Sequence, residues 1–125
     1  MKLNHDCVRA CMLYLEEKLG VNSRINLVGV HIKGYSDDDV LYSFIKLSEA
    51  GFINGKPQPA GNNPAYVFIT TSITYEGHKF IDSVRDDKVW SATKKISSKV
   101  ASVSIDILTT IATNVLTKML IGQSF

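Results

Sequence analysis

Apolar residues recur along this chain at a spacing that is first helical, then alternating, then helical again. Val8, Cys11, Met12, Leu15 and Leu19 fall three or four positions apart, which places them on one face of a helix. They predict a helix over residues 5–19, capped by Asn4 or Asp6 and closed by Gly20. Residues 24–32, Arg-Ile-Asn-Leu-Val-Gly-Val-His-Ile, are rich in β-branched side chains with partial alternation and predict a strand. After a turn at Gly34-Tyr35, Ser36 and Asp39 fit the Ser-x-x-acid capping box of a second helix. Val40, Leu41, Phe44, Ile45 and Leu47 form its apolar stripe, and Gly51 its end.

Phe52-Ile53 opens a strand, and residues 54–64, Asn-Gly-Lys-Pro-Gln-Pro-Ala-Gly-Asn-Asn-Pro, read as a loop. Residues 65–73 are the strongest strand in the chain, with Val67, Ile69 and Ile73 expected to face the core and Tyr66 and Phe68 to face away. Together these segments predict a two-stranded wing. Thr74 caps a third helix whose buried side is Phe80, Ile81 and Val84.

From Asp86 the pattern changes. Asp86 to Lys99 is polar, with Trp90 and Ile96 as apolar anchors. Apolar positions then run through 96, 100, 103, 107, 111, 115 and 119, a helical stripe. Ser104 with Asp106 can restart the helix after a kink near residues 101–104, so one helix or two fit this segment. The expected class is α+β: a winged-helix-like domain over 1–84 (helix, strand, helix, two-stranded wing, helix) and a C-terminal helical segment over 85–125.

Charge refines this picture. Residues 1–84 hold eight basic and nine acidic residues, a net of −1, and residues 85–125 hold six and three, a net of +3. A nucleic-acid binder concentrates basic residues on one face, and the first segment shows no such cluster. Asp37, Asp38 and Asp39 stand at the start of the second helix, where they suit the helix dipole at about 0.3–1 kcal/mol per charge. Lys88, Lys94, Lys95 and Lys99 are the candidate contacts to a nucleic-acid backbone; as a solvated helix face they need no ligand.

Catalytic and metal chemistry find little support. Cys7 and Cys11 lie four apart with no second ligand pair at zinc spacing, and read as small buried side chains in a reducing compartment. His5, His31 and His78 are dispersed, and no phosphate loop or nucleophile elbow occurs. Asp86 and Asp87 are adjacent, so on a helix they point about 100° apart and make a poor dyad. No enzyme activity, metal or cofactor is expected. Met1-Lys2-Leu3-Asn4-His5-Asp6 is polar rather than signal-like, which points to the cytoplasm.

The segments from Tyr35-Ser36 to Gly51-Phe52-Ile53, Thr74-Tyr75-Glu76-Gly77-His78-Lys79-Phe80-Ile81-Asp82 and Arg85-Asp86-Asp87-Lys88-Val89-Trp90 resemble a family of small proteins encoded by phages and prophages of bacteria and classed as a domain of unknown function. The resemblance implies a viral or prophage origin, a bacterial host and a winged-helix-like first half. It supplies no catalytic residues. The order helix, Ala-Gly-Phe-Ile, hairpin, Thr-x-x-Gly helix is also similar to winged-helix regulators, but three features depart from them. Residues 24–32 replace an expected helix, the recognition helix begins with three aspartates, and the wing carries one basic residue, Lys56.

A helix with a long apolar stripe cannot stand alone in water. It folds back, pairs with a second copy, or docks into another protein. Asp106, Asn114 and Lys118 make the stretch a poor membrane span. The expected work is therefore protein–protein recognition, through self-association or capture of a host or phage protein, with a host or phage machine such as a defence system as the expected target. The apolar stripe Ile107, Ile111, Val115 and Met119 is the contact, and Asp37, Asp38 and Asp39 form a second surface. The alternative is a dimeric winged-helix DNA-binding regulator using the four lysines.

Overall fold

The computed structural model describes residues 1–61 and 63–122, with the side chains of Ala60 and of residues 63–66 outside the description. The class is α+β. In chain order the elements are α1 (His5–Lys18), β1 (Ile25–Asn26), α2 (Asp37–Glu49), β2 (Gln58–Ala60), β3 (Asn63–Val67), β4 (Ile69–Thr70), α3 (Tyr75–Val84), α4 (Asp87–Ser97) and α5 (Ile105–Gly122). The chain divides into two compact units, Met1–His78 and Lys79–Phe125. The division falls inside α3, ahead of the boundary that the sequence suggests at residue 84.

In the first unit α1 packs on α2. The Asn4 side chain caps α1 by accepting from the Cys7 N–H at 3.1 Å. Cys7, Val8, Cys11, Met12 and Leu15 are buried on α1, and Val40, Ser43, Phe44 and Leu47 on α2. Both cysteines are free and buried. The Cys11 thiol donates to the Val40 carbonyl at 3.8 Å. Burial, with Cys7 beside it, pushes this thiol well above the ordinary range, so it holds no reactive thiolate. α1 ends on Leu19 in extended conformation, one residue before the glycine stop that its sequence suggests.

The Ser36 cap forms as its spacing predicts: its hydroxyl accepts from the Asp39 N–H at 3.1 Å. At the other end of α2 the Phe52 N–H reaches the Leu47 carbonyl and the Gly51 N–H the Ser48 carbonyl, each at 3.0 Å. This is a Schellman closure, and Gly51 supplies its left-handed residue at φ 79°.

The strands depart from expectation. Of residues 24–32 only Ile25–Asn26 pairs, antiparallel to β4. Gly29 and Gly34, at φ 89° and 95°, break the rest into turns. The long strand at 65–73 is split at Phe68, and its inward parity is opposite to that expected. Phe68 and Thr70 are fully buried, whereas Val67, Ile69 and Ile73 are half-buried. The pairing sets this: Phe68 N–H donates to the Asn26 side chain at 3.1 Å, and its carbonyl accepts from Leu27 N–H at 2.6 Å. The expected outward position of Tyr66 lies outside the described side chains. The partner of β3 is Gln58–Ala60, inside the segment expected to be loop. Ile53 meets Ile73 in a single antiparallel bridge.

A short network joins the hairpin to α3. Asn54 Oδ1 accepts from the Thr71 N–H at 2.9 Å and from the Thr70 hydroxyl at 3.2 Å. Thr74 caps α3: its hydroxyl accepts from the Gly77 N–H at 3.1 Å and donates to the Gly51 carbonyl at 2.6 Å. The helix start approaches the backbone so closely that a Cβ on Gly77 would lie 2.1 Å from the Phe52 carbonyl oxygen and 2.7 Å from Ile73 Cγ2.

In the second unit, Phe80, Ile81, Ser83 and Val84 are buried on α3, and Val89, Trp90 and Thr93 on α4. α4 packs along α5, on Ile105, Leu108, Ala112 and Val115. Ser83 and Thr113 hydroxyls meet at 3.2 Å. α4 and α5 are separate helices, parted at residues 98–104. Ser104 restarts the chain by capping Ile107 N–H at 3.2 Å, so apolar positions 96, 100 and 103 do not continue the α5 stripe.

Replacing Gly77 by Ala should lower stability by about 1–3 kcal/mol, the usual cost of overpacking. Chemical denaturation with the slope unchanged measures it. Stability equal to wild type would show that the α3 start does not lie against Phe52.

Candidate interaction surfaces

α5 carries more apolar surface than its packing on α4 uses. Ile105, Leu108, Ala112 and Val115 are buried, yet Ile107 is 51% and Ile121 54% exposed. Of the stripe expected to make contacts, Val115 is buried in the unit, Ile111 and Met119 are half-buried, and only Ile107 is exposed. The stripe runs at steps of four residues. Each such step advances about 40° beyond a full helical turn, so the line winds from the outer side at Ile107 into the α4 contact at Val115.

The side left open follows a different line. Ile107, Ile111, Asn114, Lys118 and Ile121 succeed one another at steps of four, three, four and three. That is the spacing of a coiled-coil seam. The seam was legible in the sequence, but its two polar members concealed it. Beside it, Ile96, Ile111, Asn114, Val115 and Lys118 line a groove of about 200 Å³. Ile96, expected as an apolar anchor, is 41% exposed, whereas Trp90 is 4% exposed and does anchor α4. α5 has a mean hydropathy of 1.3 over 18 residues and is long and apolar enough to cross a membrane by length and composition.

The second expected surface is the α2 start. Asp37 and Asp38 are exposed and Asp39 half-buried. Asp37 pairs with His31 at 3.0 Å, both side chains being more than two-thirds exposed. One turn further along α2, Leu41 and Ile45 join Val28 and Pro57 around an apolar cleft of about 260 Å³. Sequence reasoning missed this cleft, because Val28 and Pro57 reach it from remote turns. It and the α5 groove are smaller than the 300–1,000 Å³ typical of cofactor and small-ligand pockets. Their size suits single anchoring side chains instead.

The lysines Lys88, Lys94, Lys95 and Lys99 are exposed. Lys88 and Lys95, seven residues apart on α4, share a face, while Lys94 points elsewhere and Lys99 follows the helix end. Asp86 is committed locally, accepting from Lys88 and Val89 N–H at 2.8 and 3.1 Å as the α4 cap. His78 lies in a cleft of about 360 Å³ with Glu16, Asn22, Thr71 and Ser72. Among the described residues no group of three His, Cys, Asp or Glu side chains is placed to hold a metal ion.

Comparison with known proteins gives membership without an activity. The family described as "Hypothetical protein (DUF2513)" matches residues 2–104. An uncharacterized protein of Haemophilus influenzae strain Rd is 31% identical over 121 residues, covering 96% of this chain and 99% of that protein. No solved structure matches. The match over most of the chain, together with a relative aligned over nearly its whole length, shows that this protein belongs to the DUF2513 family.

Proposed function

We propose that this protein is a non-enzymatic binder of polypeptides whose main contact is the open seam of α5. One observation supports the reading: a helix already packed on one face keeps a second line at coiled-coil spacing, in which Ile107, Ile111 and Ile121 are apolar, Asn114 and Lys118 polar, and Ile107 and Ile121 half exposed. Single exposed apolar residues are ordinary on protein surfaces, whereas an ordered row of them marks a contact. The acidic α2 start and the Leu41–Ile45 cleft form a second recognition surface.

The first unit is read as winged-helix-like. Helix, short strand, helix, hairpin and helix occur in the order of that architecture, with α2 in the recognition-helix position. Three aspartates at the leading end of that helix oppose a phosphate backbone, so the architecture serves protein recognition here. A phage or prophage origin, a bacterial cytoplasm as the place of action and a host or phage machine such as a defence system as the target complete the proposal.

Ile107→Glu combined with Ile121→Glu should weaken association at least tenfold, because each places a charge in an apolar contact. Helical content and stability should stay within about 0.5 kcal/mol of wild type, since both positions are exposed in the single chain. Sedimentation of both proteins over a concentration series checks this. Unchanged association would remove α5 from the account.

For duplex DNA, fluorescence titration at low and moderate salt should show no binding with the steep salt slope of phosphate contacts. A steep slope lost on neutralising Lys88 and Lys95 would favour the regulator instead.

A further inference from the structure

We infer that the cleft beside α2 takes an apolar side chain from a basic segment of another protein, with Asp37 and Asp38 pairing with a lysine or arginine of that segment. This rests on the polypeptide-binding reading above and adds the chemistry of the partner at its second surface.

The placement follows from α2. Leu41 and Ile45, one turn apart, form the helical side of the cleft, and Val28 and Pro57 close it from remote turns. All four are half-buried, so their apolar surface is fixed in the fold yet open to water. Asp37 lies four residues before Leu41, and Asp38 three. At about 100° per residue these steps set the two aspartates about 40° and 60° to either side of Leu41, one turn nearer the helix start. Both are exposed. Asp39 falls about 160° from Leu41, on the other side of the helix. Two of the three aspartates therefore edge the cleft.

Neighbouring groups leave that edge negative. Asp38 has no ion pair among the described residues. Asp37 meets His31 at 3.0 Å, but both side chains are more than two-thirds exposed, and such a pair is weak and readily exchanged. Lys46 is held by Glu49 at 2.8 Å. Lys33 and Lys56 are exposed and pair with neither aspartate among the described residues. Lys56 follows Gly55, whose carbonyl accepts from the Ser48 hydroxyl near the opposite end of α2.

An acidic edge beside an apolar floor decides between occupants. Duplex DNA and an anionic bilayer both present negative charge, which the aspartates repel. A polypeptide with one apolar anchor and a base close by satisfies both parts of the surface. The anchor leaves water, and the base meets complementary charge that steers its approach. Asp37 and Asp38 stand about 5–6 Å from Leu41 along the helix axis. The base therefore belongs within about four positions of the anchor in a helical partner, or about two in an extended one.

The test selects short random peptides displayed on phage against the full chain. The selected sequences, made synthetically, are measured by fluorescence titration and by methyl NMR, and circular dichroism checks the fold of each variant. The peptides should share an apolar residue with Lys or Arg within about four positions, and should shift the methyls of Val28, Leu41 and Ile45. Asp37→Asn with Asp38→Asn should weaken binding about three- to tenfold at low ionic strength and less at high salt, because the pairs are exposed. Asp39→Asn removes the same charge from the same helical turn and should leave binding unchanged. Leu41→Ser with Ile45→Ser should weaken it about tenfold or more. Selected peptides that lack a base would overturn the proposal, as would an equal loss from Asp39→Asn. Peptides that bind but are released only by Ile107→Glu would keep the polypeptide-binding reading and remove this one. Selection of no peptide above background would overturn both.

Discussion

α5 carries two apolar lines, and packing inside its own unit buries one of them. Ile105, Leu108, Ala112 and Val115 are buried on the helix that packs along α4, and one such face cannot take in the opposite side of the helix. Ile107, Ile111 and Ile121 are therefore left on a flank. Full burial of one such side chain is worth about 1.5–3 kcal/mol. A row of them is a standing driving force toward any surface that excludes water from it. The proposed function follows from that imbalance rather than from any reactive group.

The first unit shows how the recognition elements are held. Gly51 closes α2 and sends the chain into Phe52, whose carbonyl accepts from Thr74 N–H at 3.0 Å. Thr74 in turn caps α3 and donates to Gly51. The end of α2, the foot of the hairpin and the start of α3 thus share one set of hydrogen bonds. α2 is held by its buried Val40, Phe44 and Leu47 against α1, so its acidic start and its Leu41–Ile45 side stay on the surface. The reactive candidates are spent structurally: Cys11 of the first unit is buried and proton-bound, and Asp86 of the second is the α4 cap.

What was legible in the sequence was what is local. The Ser36 cap, the Asn4 cap, the Gly51 stop, and the burial of Val8, Cys11, Met12 and Leu15 on α1 and of Val40, Phe44 and Leu47 on α2 depend on neighbours within a turn or two, and they form as their spacing predicts, whereas Leu19, Leu41 and Ile45 of the same stripes stay half-buried. The strands depend on partners far along the chain. Gln58–Ala60 carries a proline and no β-branched residue, so nothing local marks it as the mate of β3. Phe68 turns inward because Asn26 and Leu27 hold its backbone, a constraint from more than forty residues away. The α5 stripe crosses from the open side into the packed side for a different reason. Apolar identity alone cannot separate the line that α4 covers from the line that it leaves, and Asn114 and Lys118 interrupt the second.

The central claim is that the outer line of α5 is covered by polypeptide in the working protein. Paramagnetic relaxation of isoleucine and leucine methyl groups by a soluble gadolinium chelate tests it most directly. At high protein concentration the Ile107 and Ile121 methyls should be shielded almost as well as those of Leu108, and dilution should expose them. Methyls that relax at every concentration as fully as groups 51% and 54% exposed should, even with its cellular partners present, would contradict the account.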